Sequence, residues 1–205
     1  MKTFAKQVRH TLFHPGDGFT DFMEKKNGSI GFSILVLLAY FLAKIAQRQL
    51  TGFHFNDNRP EELNVMFIFV QTVGVFILWV ACNWAISTLF EGKARFKEIW
   101  FFSSVALVPL LLSTVVTVIL SNFLLPEESM FLTIVDTVGI LWGLLLLIGG
   151  MMIFHDYTLG KVIWSSLLSV GLILVIVFVC VLAFSLFQQV FNFADAVFRE
   201  LMYRI

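Results

Sequence analysis

The stretch VIWSSLLSVGLILVIVFVCVLAFSLF, from Val162 to Phe187, runs for 26 residues without one charged side chain. At about 1.5 Å per residue, a helix of this length crosses the roughly 30 Å hydrocarbon core of a bilayer with length to spare for tilt. It shows no strand-like alternation. In lipid every backbone amide needs a partner inside its own segment, so the stretch reads as a transmembrane helix. Four more apolar runs are comparable: Ser29 to Ala46, Leu63 to Phe90, Ile99 to Leu125 and Phe131 to Phe154. Together they predict an all-α fold, a polytopic membrane bundle of five transmembrane helices.

Little chain is left for anything else. Of 205 residues 59% are hydrophobic and the mean hydropathy is +0.88, which predicts a single membrane domain over 1–205 without a separate soluble domain. Its expected parts are a lead-in segment 1–28, the five-helix bundle 29–187 and a C-terminal helix 188–205. The 14 basic and 14 acidic residues cancel, so no overall field favours nucleic acid as a partner. Cys82 and Cys180 fall inside apolar spans, and His10, His14, His54 and His155 are scattered over different segments. No disulfide, metal site or cofactor is expected from such a distribution. The first 28 residues lack the roughly 7–15-residue apolar core of a cleaved signal peptide, so the first span is expected to stay as an uncleaved signal anchor.

Lysines and arginines set the orientation, because those in short loops are retained on the cytoplasmic side. Lys2, Lys6, Arg9, Lys25, Lys26, Lys93, Arg95, Lys97 and Lys161 fall on one side, against Arg48, Arg59, Arg199 and Arg204 on the other, with Lys44 inside a helix end. The N-terminus is therefore expected in the cytoplasm and the C-terminus outside, in a cell membrane. Trp84, Trp100 and Trp164 lie near cytoplasmic span ends, where an interfacial belt is expected, while Trp79 and Trp142 lie deeper as packing residues.

The flanking segments are amphipathic. Phe4, Val8, Leu12 and Phe13 recur at helical spacing among Lys6, Arg9 and His10, which predicts a basic helix lying on the inner leaflet. It should end at His14-Pro15-Gly16-Asp17-Gly18, where Pro15 disfavours helix at the preceding residue and the glycines permit a reversal. In the tail, Val190, Phe193, Ala194, Val197, Phe198, Leu201 and Ile205 make one face. They predict a second amphipathic helix that lies on the membrane or packs on the bundle or a partner.

A charge at the bilayer centre costs about 3 kcal/mol or more, which singles out Asp136. It lies about 8 Å along its helix from the outer end, close to Glu127 and Glu128. That depth suits either a hydrogen-bonded interfacial residue or part of a transport path. Gln71 is the deepest amide, and Asn83 and Asn122 sit toward opposite helix ends, where amides join helices by hydrogen bonds. Pro109 frees a carbonyl in mid-span and is expected to bend its helix. Gly139 with Gly143, and Ser165 with Ser169, permit close helix approach within the bundle in preference to a dimer, although a homo-oligomer stays open. Gly149 and Gly150 are expected to loosen the cytoplasmic end of the fourth span.

Three polar segments carry more pattern than a connector needs. They are His14-Pro15-Gly16-Asp17-Gly18-Phe19, then Asn83-Trp84 through Phe90-Glu91-Gly92-Lys93 to Phe96-Lys97-Glu98-Ile99-Trp100, and His155-Asp156-Tyr157 to Lys161. In the expected topology all three emerge on the cytoplasmic face. With His14-Pro15-Gly16-Asp17-Gly18-Phe19, Asn83-Trp84, Gly92-Lys93, Leu107-Val108-Pro109 and His155-Asp156-Tyr157 in this order, and five spans, the chain resembles the bacterial members of the Yip1 family over nearly its whole length. The resemblance implies an integral membrane protein with no established catalysis, in a bacterial plasma membrane. Eukaryotic relatives act in ER and Golgi vesicle trafficking with small GTPases and usually carry a long hydrophilic N-terminal region, whereas about 28 residues precede the first span here.

The leading expectation is a membrane scaffold or accessory protein, not an enzyme. Its cytoplasmic face would bind another membrane or peripheral protein, such as an ABC transporter component or a trafficking factor, through His14, Asp17, Glu91, Lys93, Lys97, His155, Asp156 and Lys161. Taken singly, each of these also fits a topology-setting charge or a solvated loop residue. The alternative is a small transporter, channel or lipid-handling protein with Gln71, Pro109 and Asp136 along the route. The scarcity of ionisable groups at depth makes coupled ion transport an awkward fit. An intramembrane enzyme fits poorly, since no Ser or Cys has an evident His partner at its depth and the His-Glu-x-x-His, phosphate-loop and nucleophile-elbow motifs are absent.

Overall fold

Polar side chains at the edges of the apolar runs decide where the spans begin. Ser29 Oγ accepts from the Phe32 N–H at 3.4 Å and Asn64 Oδ1 from the Phe67 N–H at 2.9 Å, capping the first two. Glu98 accepts from the Arg95 N–H at 2.7 Å and opens the third. The computed structural model describes residues 2–25, 28–56 and 63–202. Among these there are seven helices and no strand: α1 Lys2–Phe13, α2 Pro15–Lys25, α3 Ile30–Leu50, α4 Val65–Leu89, α5 Phe96–Ser121, α6 Ser129–His155 and α7 Leu159–Met202. Helices α3 to α7 are each long and apolar enough to cross a membrane, as the five runs predict. Lys26, Arg59, Arg204 and Ile205 lie outside the described residues, as do the side chains of Lys2, Phe4, Val197 and Leu201.

Helix α5 is the hub. Half of its most apolar stretch is buried, against 6% in α7, and it packs on α3, α4 and α6. The α5–α6 seam depends on small residues. A Cβ on Gly139 would run into the Ser113 hydroxyl, and one on Gly143 would come within 2.9 Å of the Ala106 carbonyl oxygen. The Gly-x-x-x-Gly pair thus serves the bundle interior. Gly149 and Gly150 depart from expectation: α6 continues through both to His155, and a Cβ on Gly150 would press on Phe102 at 2.9 Å. Gly150 lets α5 approach this end of the helix, while Gly149 faces Pro15 of α2, 3.5 Å from where its Cβ would sit.

The N-terminal segment does not lie free on the membrane surface. Helices α1 and α2 fold back on each other across His14, and α2 packs beside α6. Pro15 is the first residue of α2, where its missing N–H has no helical partner to lose. Asp17 and Gly18 are therefore helical, and the reversal is confined to His14. A Cβ on Gly18 would sit 2.5 Å from Thr11 Cα, so only glycine lets the two helices touch there. Trp142 Nε1 donates to the Leu12 carbonyl at 2.9 Å, and the Phe13 ring lies 5.5 Å from the Trp142 ring. Phe19 reaches Phe154 at 5.9 Å and Phe22 reaches Phe101 at 4.8 Å. Trp142 lies 13 residues before the end of α6, which is roughly 20 Å at 1.5 Å per residue. Of the predicted apolar face, Val8 is buried and Leu12 packs against the core, while Phe13 touches Trp142 yet stays mostly exposed.

Two further expectations change. The tail is not a separate helix, because α7 runs unbroken for 44 residues and neither Gly nor Pro occurs between Gly171 and Met202 to stop it. Trp84 and Trp164 are exposed, as an interfacial belt requires, but Trp100 is half-buried, 5.1 Å from Phe76 and 6.2 Å from Phe96. Trp79 packs as expected and donates to Ser103 Oγ at 3.2 Å. At the opposite end, Asn122 Nδ2 donates to the Leu50 carbonyl at 2.9 Å and ties α5 to α3.

Candidate functional site

Two helix ends build the site. At the end of α4 the Gly92 N–H donates to the Ser87 carbonyl at 2.8 Å, and at the end of α6 the Tyr157 N–H donates to the Met152 carbonyl at 3.0 Å. Both are the long closing bond of a Schellman turn, which requires one residue in the left-handed conformation. That residue is Glu91, with φ 56, in the first turn and Asp156, with φ 57, in the second. Glycine adopts this conformation freely, whereas an L residue there costs about 1 kcal/mol. A carboxylate beside the negative end of a helix is unfavourable as well. Local helix physics selects against both acids.

The two turns lean on each other. The His155 ring is 1% exposed and stacks on Tyr157 at 5.0 Å and 18°. His155 Nε2 lies 3.3 Å from Asn83 Oδ1, and Asn83 Nδ2 donates to Met151 Sδ at 3.6 Å. A carbonyl oxygen only accepts, so the ring hydrogen is on Nε2, and Nδ1 is buried without a hydrogen-bond partner among the described residues. Tyr157 Oη donates to the Ser87 carbonyl at 3.3 Å. Gly92 closes the stack: a Cβ there would fall 2.5 Å from His155 Nδ1 and 2.6 Å from Tyr157 Oη. On the outside, Lys93 Nζ pairs with Asp156 Oδ2 at 2.6 Å, and Lys161 Nζ lies 4.7 Å from the centre of the Tyr157 ring. The hydrogen bond and charge of Lys93 hold the Asp156 carboxyl below its ordinary range. Burial, and then the charge of Glu91, push the Tyr157 phenol up.

The structure therefore brings together Glu91, Lys93, His155, Asp156 and Lys161, but in two roles. Glu91, Lys93 and Asp156 are exposed, whereas His155 is a buried keystone and cannot itself touch a partner. Lys97 and Lys161, expected in loops, occupy the first turns of α5 and α7. Lys97 lines a cleft of about 410 Å³ with Lys93, Arg95, Phe22 and Phe101. His14 and Asp17 do not join the cluster: His14 stacks on His10 at 5.0 Å in the hairpin turn, and Asp17 is exposed on α2. Asn83 joins two helices as its position suggested, while the packing role of Gly92 under two aromatic rings left no signal beyond its place in a Gly-Lys turn.

The residues considered for a transport path also divide. Gln71, in a π-helical turn Val70–Gly74 within α4, and Asp136 line neighbouring cavities. Asp136 accepts from Thr117 Oγ1 at 2.8 Å. Pro109 is buried in the α5–α6 seam, its carbonyl oxygen 3.3 Å from where a Gly139 Cβ would sit. Among the described residues, no group of three His, Cys, Asp or Glu side chains could hold a metal ion.

No match is found among curated proteins or among solved structures. The family model described as the Yip1 domain matches residues 9–183, from within α1 through most of the last span, and the chain belongs to the Yip1 domain family.

Proposed function

We propose that this Yip1-family membrane protein is a non-enzymatic scaffold in a cell membrane, with the Glu91–Lys93 and His155–Asp156 turns facing the cytoplasm as a preformed surface for a membrane or peripheral protein. One observation carries the reading: acids occupy both left-handed positions that helix ends reserve for glycine, and a buried histidine and tyrosine hold the two turns in register. Disfavoured backbone conformations persist where surrounding structure over-determines them, and they cluster at functional sites. Cytoplasmic placement is supported by the bias of lysine and arginine toward this end. An ABC transporter component is one partner of suitable location.

The test separates surface chemistry from folding. Glu91→Gly removes the charge while relaxing the backbone, so the variant should fold at least as well as the parent. A photoreactive residue replacing Lys97 should yield a discrete crosslinked product in intact cells, lost in Glu91→Gly and in Lys93→Ala. An unchanged product in both variants defeats the reading. Orientation is checked in a Cys82→Ala, Cys180→Ala background: Glu91→Cys should resist an impermeant maleimide in intact cells while Ser129→Cys reacts.

A further inference from the structure

We propose that the bundle binds one neutral lipid of the isoprenoid quinone class, its ring in a chamber at mid-span and its tail lying in the surrounding bilayer. The chamber, about 490 Å³, is bounded by all five spans through Tyr40, Trp79, Leu107, Leu147 and Ile173, a volume within the roughly 300–1,000 Å³ of small-ligand pockets. Three aromatic side chains, Tyr40, Phe76 and Trp79, stand on its wall, and such rings pair with a planar ligand by offset stacking or edge contact. Val75, Ile140, Leu144 and Val170 line the chamber and are also exposed on the outside of the bundle, so a long apolar tail can pass through that side into lipid.

Two hydrogen-bonding groups on the chamber wall are unspent. Tyr40 Oη and the Gln71 amide have no hydrogen-bond partner among the described residues, whereas Thr72 Oγ1 donates to the Ile68 carbonyl at 2.7 Å and Trp79 Nε1 to Ser103 Oγ at 3.2 Å. Polar groups in the hydrocarbon region are costly without a partner. An O–H and an amide N–H call for acceptors, and the two ring carbonyls of a quinone supply them without adding a donor that would itself need a partner. The π turn Val70–Gly74 carries Gln71 and Thr72 onto this wall, and such turns recur at functional sites inside helices.

Charge and depth both favour a neutral head. Lys44 has Asp136 as its charge partner and Arg48 is engaged, so neither cation lining the adjoining cavity selects an anion. Tyr40 is the eleventh of the 21 residues of α3, and Gln71 lies six residues inside α4, roughly 15 and 9 Å below the nearer helix ends at 1.5 Å per residue. A phosphate carried to Tyr40 would leave the interface for the hydrocarbon, where charge is expensive. An uncharged quinone ring reaches that depth without this cost.

The purified chain in phosphatidylcholine nanodiscs, photolabelled with a benzoquinone that carries an isoprenoid tail and a diazirine beside the ring, provides the test. Mass spectrometry should find label concentrated on Phe76, Trp79 and Leu107, and excess unlabelled quinone should remove it, while dioleoylglycerol and a polyprenol of the same tail length should not. Leu107→Trp, which fills the chamber, should clear the label. Gln71→Leu and Tyr40→Phe should each weaken binding roughly fivefold, the equivalent of one hydrogen bond of about 1 kcal/mol. Label spread evenly over lipid-facing residues, competition by the polyprenol as strong as by the quinone, or wild-type affinity in either hydrogen-bond variant overturns the proposal. Displacement by dioleoylglycerol at the quinone's own concentration overturns the quinone assignment.

Discussion

Replacing Gly92 with alanine tests the junction between the two turns. The new methyl carbon would lie 2.5 Å from His155 Nδ1, 2.6 Å from Tyr157 Oη and 3.0 Å from Ser87 Cβ. Neither ring has room to withdraw, since His155 is 1% and Tyr157 5% exposed and each is stacked on the other. Overpacking of this kind costs about 1–3 kcal/mol, and displacing the imidazole from Asn83 forfeits a hydrogen bond of about 1 kcal/mol. A loss of about 2–4 kcal/mol is therefore expected for Gly92→Ala. Unfolding of the purified chain in mild detergent, titrated with a denaturing detergent and followed by tryptophan fluorescence, measures it. Tyr157→Phe removes one of the two obstructing atoms. In combination the two changes should be less damaging than their sum, by about 1 kcal/mol. A Gly92→Ala chain within about 0.5 kcal/mol of wild type, the range of neutral surface substitutions, would refute the reasoning, as would strict additivity with Tyr157→Phe.

Three more outcomes follow from the same geometry. Lys93→Ala should raise the titration of the Asp156 carboxyl, followed by carbon NMR, back toward its ordinary 3.8; because the folded value is depressed, the stability linked to it is present above the unfolded value and is lost as pH falls through the folded one. Gly143→Val, whose Cβ meets the Ala106 carbonyl oxygen at 2.9 Å, should destabilise the bundle by about 2 kcal/mol or more, while Gly171→Ala, with no heavy atom within 4 Å, should be neutral or slightly stabilising in the same detergent titration. Trp142→Phe removes the donor to the Leu12 carbonyl, so hydrogen exchange should speed up across residues 2–25 while α3 to α6 stay protected; an unchanged hairpin would mean that Trp142 does not anchor it.

The five spans were legible because a bilayer demands about 20 apolar residues per helix and punishes buried backbone left unpaired, a requirement of composition and length alone. The Gly139–Gly143 seam was legible for a related reason: close helix approach needs small residues wherever the partner lies. Other features turned on partners distant in the chain. The face of α1 and α2 reads as equally suited to lipid or to protein, and only the folded bundle supplies Trp142, Phe154 and Phe101 to cover it. His155 resembles its exposed neighbour Asp156 in sequence, yet the left-handed turn at Asp156 sends one side chain under Gly92 and leaves the other in solvent beside Lys93. Lys44, Gln71 and Asp136 stand on three different helices, so the cavity that Lys44 and Gln71 line together and its neighbour lined by Asp136 exist only once α3, α4 and α6 are packed. Sequence by itself determined that the chain is a five-span helical membrane protein, because hydrophobic length is a local property. Tertiary structure decided which polar groups meet, because those meetings depend on how the helices are rotated and paired, which no single segment encodes.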